Sequence, residues 1–228
     1  MANVPRLYRA TDRSRVRLGA AKVDLRAEVA SRVRALIIAQ TLEPGSHVNE
    51  SKLSVTLGVS RTPLREALAS LEAEHFVRYE PDRGFIVADL DVDEIRQIYP
   101  IGRELDLLAL RSVELFRAET IKELRRLNAS FVRAKNDAEK ARKIDTQFHR
   151  LLIGGCRNER LLRMMDSIQA SMARYERIYM ADQSDIVRSS GQHHEIVNAL
   201  ERDDIEAATR VLADHWNYGF KKLASSIS

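Results

Sequence analysis

The segment Leu57-Gly58-Val59-Ser60-Arg61-Thr62-Pro63-Leu64-Arg65-Glu66-Ala67-Leu68 constrains the fold more than any other part of the chain. Gly58 stops one helical pattern, Ser60 has the side chain of an N-cap, and Leu64, Ala67, Leu68 and Leu71 recur beyond it at three- and four-residue steps. Before Gly58, Asn49 opens a short helix carrying Leu53, Val55 and Leu57. Earlier still, Leu25, Val29, Val33, Leu36 and Ile37 give one buried face to a first helix over 24–38, which Pro44-Gly45 separates from the second. Three helices with a tight turn between the last two predict a helix-turn-helix.

The polar face of the third helix decides what such a motif can do. Arg61, Thr62 and Arg65 lie at its N-terminal end, the end that enters the major groove in helix-turn-helix proteins. Arginine there can donate two bonds to guanine or grip a phosphate, and threonine can meet a phosphate or a thymine methyl. Two short alternating patterns, 76–79 and 85–87, then flank Glu80-Pro81-Asp82-Arg83-Gly84, whose residues suit a hairpin turn. The hairpin predicts a wing. Its Arg83 is drawn to the negative potential of a minor groove, and Gly84 permits close backbone approach. The net charge of +4 is concentrated at one end: residues 1–22 hold six basic side chains and one acid. Such an arm either follows a phosphate backbone with salt-dependent affinity or is a solvated tail.

The residues Leu42-Glu43-Pro44-Gly45, Asn49-Glu50, Leu53, the whole 57–68 segment, Leu71-Glu72-Ala73-Glu74 and Arg83-Gly84 together resemble the GntR family of bacterial regulators. The resemblance implies operator contacts by Arg61, Thr62, Arg65 and Gly84. Many members carry a basic residue just before Lys52, where this chain has Ser51, so Lys52 is the candidate for that contact. With one recognition helix per chain, the resemblance also implies a homodimer on a pseudo-palindromic operator.

Beyond Asp91 the pattern is helical throughout, over roughly 92–115, 119–136, 138–153, 159–180, 185–201 and 203–222, with Pro100 expected to kink the first of these. The expected architecture is mainly α: a basic arm at 1–22, a winged helix-turn-helix domain at 23–89, and a six-helix bundle at 90–228. Polar residues sit on inward faces of that bundle. Asp145 and His149 share a face with Phe148 and Leu152; His193 shares one with Ile196, Val197 and Leu200, which turns His194 outward; His215 follows Val211 and Leu212. Three imidazoles and a carboxylate suit a divalent first-row metal, although the Asp145–His149 pair could be an internal hydrogen bond and the other histidines ordinary core residues.

Asp145-x-x-Phe148-His149, Asn158, His193-x-x-Ile196 and His215 resemble the FCD ligand-binding domain of the FadR branch of that family, and six helices match its shorter, VanR-like form. The resemblance implies that Asp145, His149, His193 and His215 hold one metal, zinc first, with nickel or manganese as alternatives. It also implies a small carboxylate effector beside the metal, gripped by Arg103 in Arg103-Glu104-Leu105-Asp106. The competing reading of Arg103 is a surface pair with Asp106. Arg174, Tyr175, Arg177 and Tyr179 either line the pocket or coat the bundle.

Other functions fit less well. No HExxH, Gly-x-Ser-x-Gly or phosphate-loop motif is present, which argues against a metal-dependent enzyme on the same bundle. A non-specific DNA-packing protein would spread its basic charge beyond the first 22 residues. The single cysteine, Cys156, cannot form an internal disulfide and reads as a small apolar filler, and no apolar run approaches membrane length. These features place the chain in the cytoplasm as a ligand-controlled transcription regulator, with repression the expected sign.

Overall fold

The computed structural model describes residues 24–227; the basic arm expected over 1–22 lies outside them. Helix α1 (Leu25–Ile38) begins at Asp24, whose carboxylate accepts the amides of Arg26 and Ala27. Helix α2 (Glu50–Leu57) is capped by Asn49 and ends where Gly58 turns left-handed at φ 68°. Helix α3 (Arg61–Ala73) starts from extended backbone at Ser60, but the Ser60 side chain makes no capping bond. The expected cap is therefore one of backbone position only. Val55 was expected on the apolar face of α2 and is 81% exposed. Leu53 and Leu57 lie four apart and share the buried face, whereas Val55, two residues from each, points about 200° away.

Strands β1 (Val77–Glu80) and β2 (Gly84–Val87) pair antiparallel from Val77↔Val87 to Glu80↔Gly84. The turn between them places Asp82 and Gly84 at φ 66° and 76°, the left-handed region that aspartate tolerates and glycine adopts freely. Val29, Val33, Leu64, Leu68, Leu71 and Phe76 are fully buried together, so the wing and all three helices share one core.

The remaining helices are α4 (Val92–Arg111), α5 (Ala118–Arg133), α6 (Ala138–Leu152), α7 (Glu159–Tyr179), α8 (Gln183–Glu201) and α9 (Ile205–Ile227). Helix α4 continues past Pro100, whose ring lies on an exposed position, and ends four residues earlier than the periodicity suggested. Asp137 and Asn158 cap α6 and α7 through their side chains. Leu110, Leu124, Phe148, Leu152, Ile196 and Leu212 fill the centre of the bundle. Cys156 is buried among Ala109, Ile153, Leu161 and Met165, the filler role expected of it. Among the described residues no helix is long and apolar enough to cross a membrane.

Candidate functional site

Two groups of polar residues stand out, one at the N-terminal end of α3 and one inside the bundle. At the first, Arg61, Thr62, Arg65 and Lys52 are all exposed, and Arg83 projects from the tip of the wing. Arg61 donates to the Ser51 hydroxyl at 2.7 Å, on the exposed side of the turn between α2 and α3. Arg65 lies 3.7 Å from Glu50, and Arg83 pairs with Glu80 at 2.7 Å. Exposed ion pairs of this kind are worth about 1 kcal/mol or less and exchange readily for phosphate contacts. Gly84 lies against His47, whose ring nitrogen is 3.6 Å from where a Cβ would stand.

Inside the bundle, three helices bring three imidazoles together. His149 on α6, His193 on α8 and His215 on α9 have ring centroids 5.3, 5.1 and 5.2 Å apart, nearly an equilateral triangle. One nitrogen from each lies within 4.8 Å of the others. Asp145, one turn before His149, reaches 3.5 Å from His193 Nε2 and 4.0 Å from His149 Nε2. His194, by contrast, faces outward near Arg125. The three predicted imidazole ligands therefore converge, with Asp145 against two of them.

Outer partners orient two of the rings. Asp106 on α4 lies 3.4 Å from His149 Nδ1 and accepts the Trp216 indole N–H at 2.9 Å. His215 Nδ1 contacts the side-chain amide oxygen Oε1 of Gln192 at 3.1 Å. His215 thus engages Nδ1 and leaves Nε2 free, the arrangement that metal-binding imidazoles adopt, whereas His149 Nδ1 faces the Asp106 carboxylate without a hydrogen bond. Gly102 makes room for Trp216, since a Cβ there would stand 2.8 Å from the indole Cη2. His193 has no such partner: it stacks on Phe148 at 3.9 Å, and both of its ring nitrogens are buried without a hydrogen bond.

The charges follow from these contacts. Burial and the neighbouring imidazoles push His193 well below the usual histidine range, and burial together with His149 lowers His215 to about 3. Burial opposes the charge on His149 as well, but Asp106 and Asp145 outweigh it and raise that ring to about 9. Burial also raises Asp145, and raises Glu176, with help from Asp145, to about 7.

His149, His215 and Asp145 open onto a cavity of about 220 Å³ lined on its apolar side by Tyr99, Met172, Ala173, Met180 and Trp216. Its carboxylates are Asp106, Asp145, Asp166 and Glu176, and its guanidiniums are Arg142 and Arg150. Arg103 does not line the cavity; half-buried, it pairs with Glu104 at 2.8 Å and leaves its Nε buried without a hydrogen bond. The alternative pairing of Arg103 with Asp106 does not form either, because Asp106 is 1% exposed and turned inward. Of the α7 residues left open by the sequence, Tyr179 lines the cavity, Tyr175 is buried beside it in the same apolar cluster as Met172, and Arg174 is buried on the far face. Sequence reasoning missed Asp106, Arg142 and Gln192. A signal existed for Asp106, which lies four residues from both Gly102 and Leu110 on the buried stripe of α4.

A reading helix, a wing and a helical domain with an enclosed polar centre define a DNA-binding transcription regulator. Residues 25–87 match the model of the bacterial regulatory proteins of the gntR family, and residues 97–218 match that of the FCD domain. The chain belongs to the GntR family, in the branch that carries an FCD domain, and its relatives are regulators, not enzymes. It is 31% identical over 186 residues to the Nta operon transcriptional regulator of Aminobacter aminovorans, covering 78% of this chain and 85% of that one. It is 26% identical over 200 residues to the gluconate operon transcriptional repressor of Bacillus licheniformis, covering 83% and 80%. The fold is similar to that of E. coli McbR/YncC, with a TM-score of 0.77 at 20% identity over 90% of this chain and 99% of that one.

Proposed function

We propose that this regulator's grip on its operator is controlled by a small organic acid that docks beside a divalent metal, zinc first, held by Asp145, His149, His193 and His215. One observation carries the reading: His193 is fully buried with both ring nitrogens unpaired, 3.5 Å from a buried carboxylate oxygen that is itself unpaired. Buried polar groups of that kind are costly unless something satisfies them, and this donor set suits zinc, nickel or manganese. A bound ion would supply positive charge and open coordination positions for an effector's oxygens.

The acids of the cavity, Asp106 and Asp145 foremost, hold His149 protonated in the metal-free protein, and a metal ion would take the place of that proton. The effector's far carboxylate is then assigned to Arg142 or Arg150, which line the cavity, in place of Arg103. Repression is the assigned sign, as in the gluconate operon relative. Arg61, Thr62, Arg65, Lys52, Arg83 and Gly84 are assigned to DNA. Ile101 and Leu108, exposed and seven apart on α4, offer an apolar face to a second copy, and a two-fold pair would present two α3 helices to a pseudo-palindromic site.

The test is elemental analysis of the purified protein, followed by binding to a selected DNA duplex in the presence of mono- and dicarboxylic acids, with and without chelation. The expected result is one metal per chain and an acid that weakens DNA binding only in the metal-loaded protein. Absence of metal, or acids acting equally after chelation, would overturn it.

A further inference from the structure

Helix α7 has two faces with different partners. One lines the cavity through Gln169, Ala170, Met172, Ala173 and Glu176. The other carries Arg174, whose side chain is 2% exposed although it is a guanidinium. Arg174 donates to the backbone carbonyls of His75 at 2.9 Å, Ala88 at 2.9 Å and Asp89 at 2.6 Å, and to the Glu94 carboxylate at 3.2 Å. His75 closes α3, while Ala88 and Asp89 leave the wing, so one side chain of the helical domain gathers both ends of the DNA-reading hairpin. Tyr175 adds a bond from its hydroxyl to Glu94 and accepts the Asp91 amide at 3.2 Å, and Arg177 donates to the Ala39 carbonyl at the end of α1. Ala170 belongs to both sides: it lines the cavity and packs against the core of the winged domain.

We infer that α7 is the joint through which the contents of the cavity reach the DNA-reading domain, with Arg174 as its positioning residue; this rests on the proposal that the cavity is the sensing site. A buried guanidinium is strongly penalised when its acceptors move away, so Arg174 cannot yield while the carbonyls of residues 75, 88 and 89 stay fixed. A shift of α7 driven from the cavity is therefore passed to the winged domain instead of being absorbed at the contact. Packed interfaces respond to small shifts by switching arrangement, not by gradual deformation. Arg174 touches neither the histidine cluster nor the reading face, which separates its role from binding at either end.

The test uses the full-length protein, zinc alone as the probe, and a DNA duplex selected by the wild-type chain from a random library. Zinc is expected to change wild-type DNA affinity by at least about fivefold, the lower end of ordinary coupling. Arg174→Gln should keep zinc affinity within about twofold while that DNA-affinity ratio falls to near one, with Arg174→Lys between the two. Hydrogen exchange should rise at residues 88–91 in Arg174→Gln and stay unchanged in α5 and α6; if the variant unfolds instead, Arg177→Gln, which removes a single bond to Ala39, carries the same comparison. A wild-type ratio retained in these variants, or a wild-type protein that binds zinc with no effect on DNA, overturns the joint. Should the wild type take up no zinc, the metal reading fails separately, and Thr146→Phe then fills the cavity from α6. Its effect on DNA affinity must disappear in the Arg174→Gln background, and an equal effect, or none in either, overturns the joint.

Discussion

Replacing His193 by phenylalanine should have opposite effects in the presence and absence of metal. His193 is fully buried and stacked on Phe148 at 3.9 Å, a contact that a phenyl ring keeps, and both of its nitrogens lack hydrogen-bond partners. Each buried unpaired polar group costs about 1–3 kcal/mol, so removing two relieves about 2–6 kcal/mol. The slightly larger ring takes back about 1–3 kcal/mol in packing strain. The central values leave a net gain of about 2 kcal/mol, worth roughly 4–8 °C in melting temperature for a chain of this size. In excess chelator, then, His193→Phe should melt above the wild type. With zinc at a hundred times its dissociation constant, the wild type should gain about 2.7 kcal/mol and the variant nothing. His194→Ala, on the exposed side of the same helix, should alter neither measurement. A phenylalanine variant that melts below the wild type in chelator, or that keeps the zinc shift, would refute the idea that these orphaned nitrogens await an ion.

Alanine at Arg61 or Arg65 should weaken specific DNA binding by about 1–3 kcal/mol, read by gel shift, without moving the melting temperature, because both side chains are exposed. Deleting residues 1–22, with their six cations and one acid, should flatten the dependence of DNA affinity on salt while leaving sequence preference intact, measured by titration across ionic strengths. His149, held at about 9 against an ordinary value near 6.5, should give the metal-free protein stability that is fully present below pH 6.5 and lost as pH rises through 9. Zinc must displace that proton, so calorimetry in buffers of different ionisation enthalpy should record about one proton released per zinc at pH 7.

The reading helix was legible because its signals are local: a left-handed glycine, a serine on extended backbone and an apolar stripe all fall within a dozen residues. The inward phase of His193 against His194 was equally local, fixed by Ile196, Val197 and Leu200 one and two turns on. What periodicity could not supply was partnership across the chain. Asp106 joins Trp216 from 110 positions away, and no spacing rule connects α4 to α9 at that distance. Arg103 was misplaced for a related reason. The Arg-x-x-acid resemblance put Arg103 beside an effector, whereas the structure turns Asp106 into the bundle and leaves the arginine outside the cavity lining with Glu104. The domain-spanning role of Arg174 was invisible too, since a guanidinium one residue from an inward alanine reads as a solvated side chain until its carbonyl acceptors are located.

Trp216 is the chain's one tryptophan, and it lies against Asp106 on the wall of the cavity. The protein therefore carries a built-in optical reporter on the wall of that cavity, with no competing indole elsewhere to dilute the signal. Emission excited at the red edge of the tyrosine band would follow the Asp106 carboxylate, the tilt of the His149 ring and the arrival of any small molecule beside them in a single trace. A search for small molecules that enter the cavity thus needs no added fluorophore, and a compound library can be read against the unlabelled, unmodified protein.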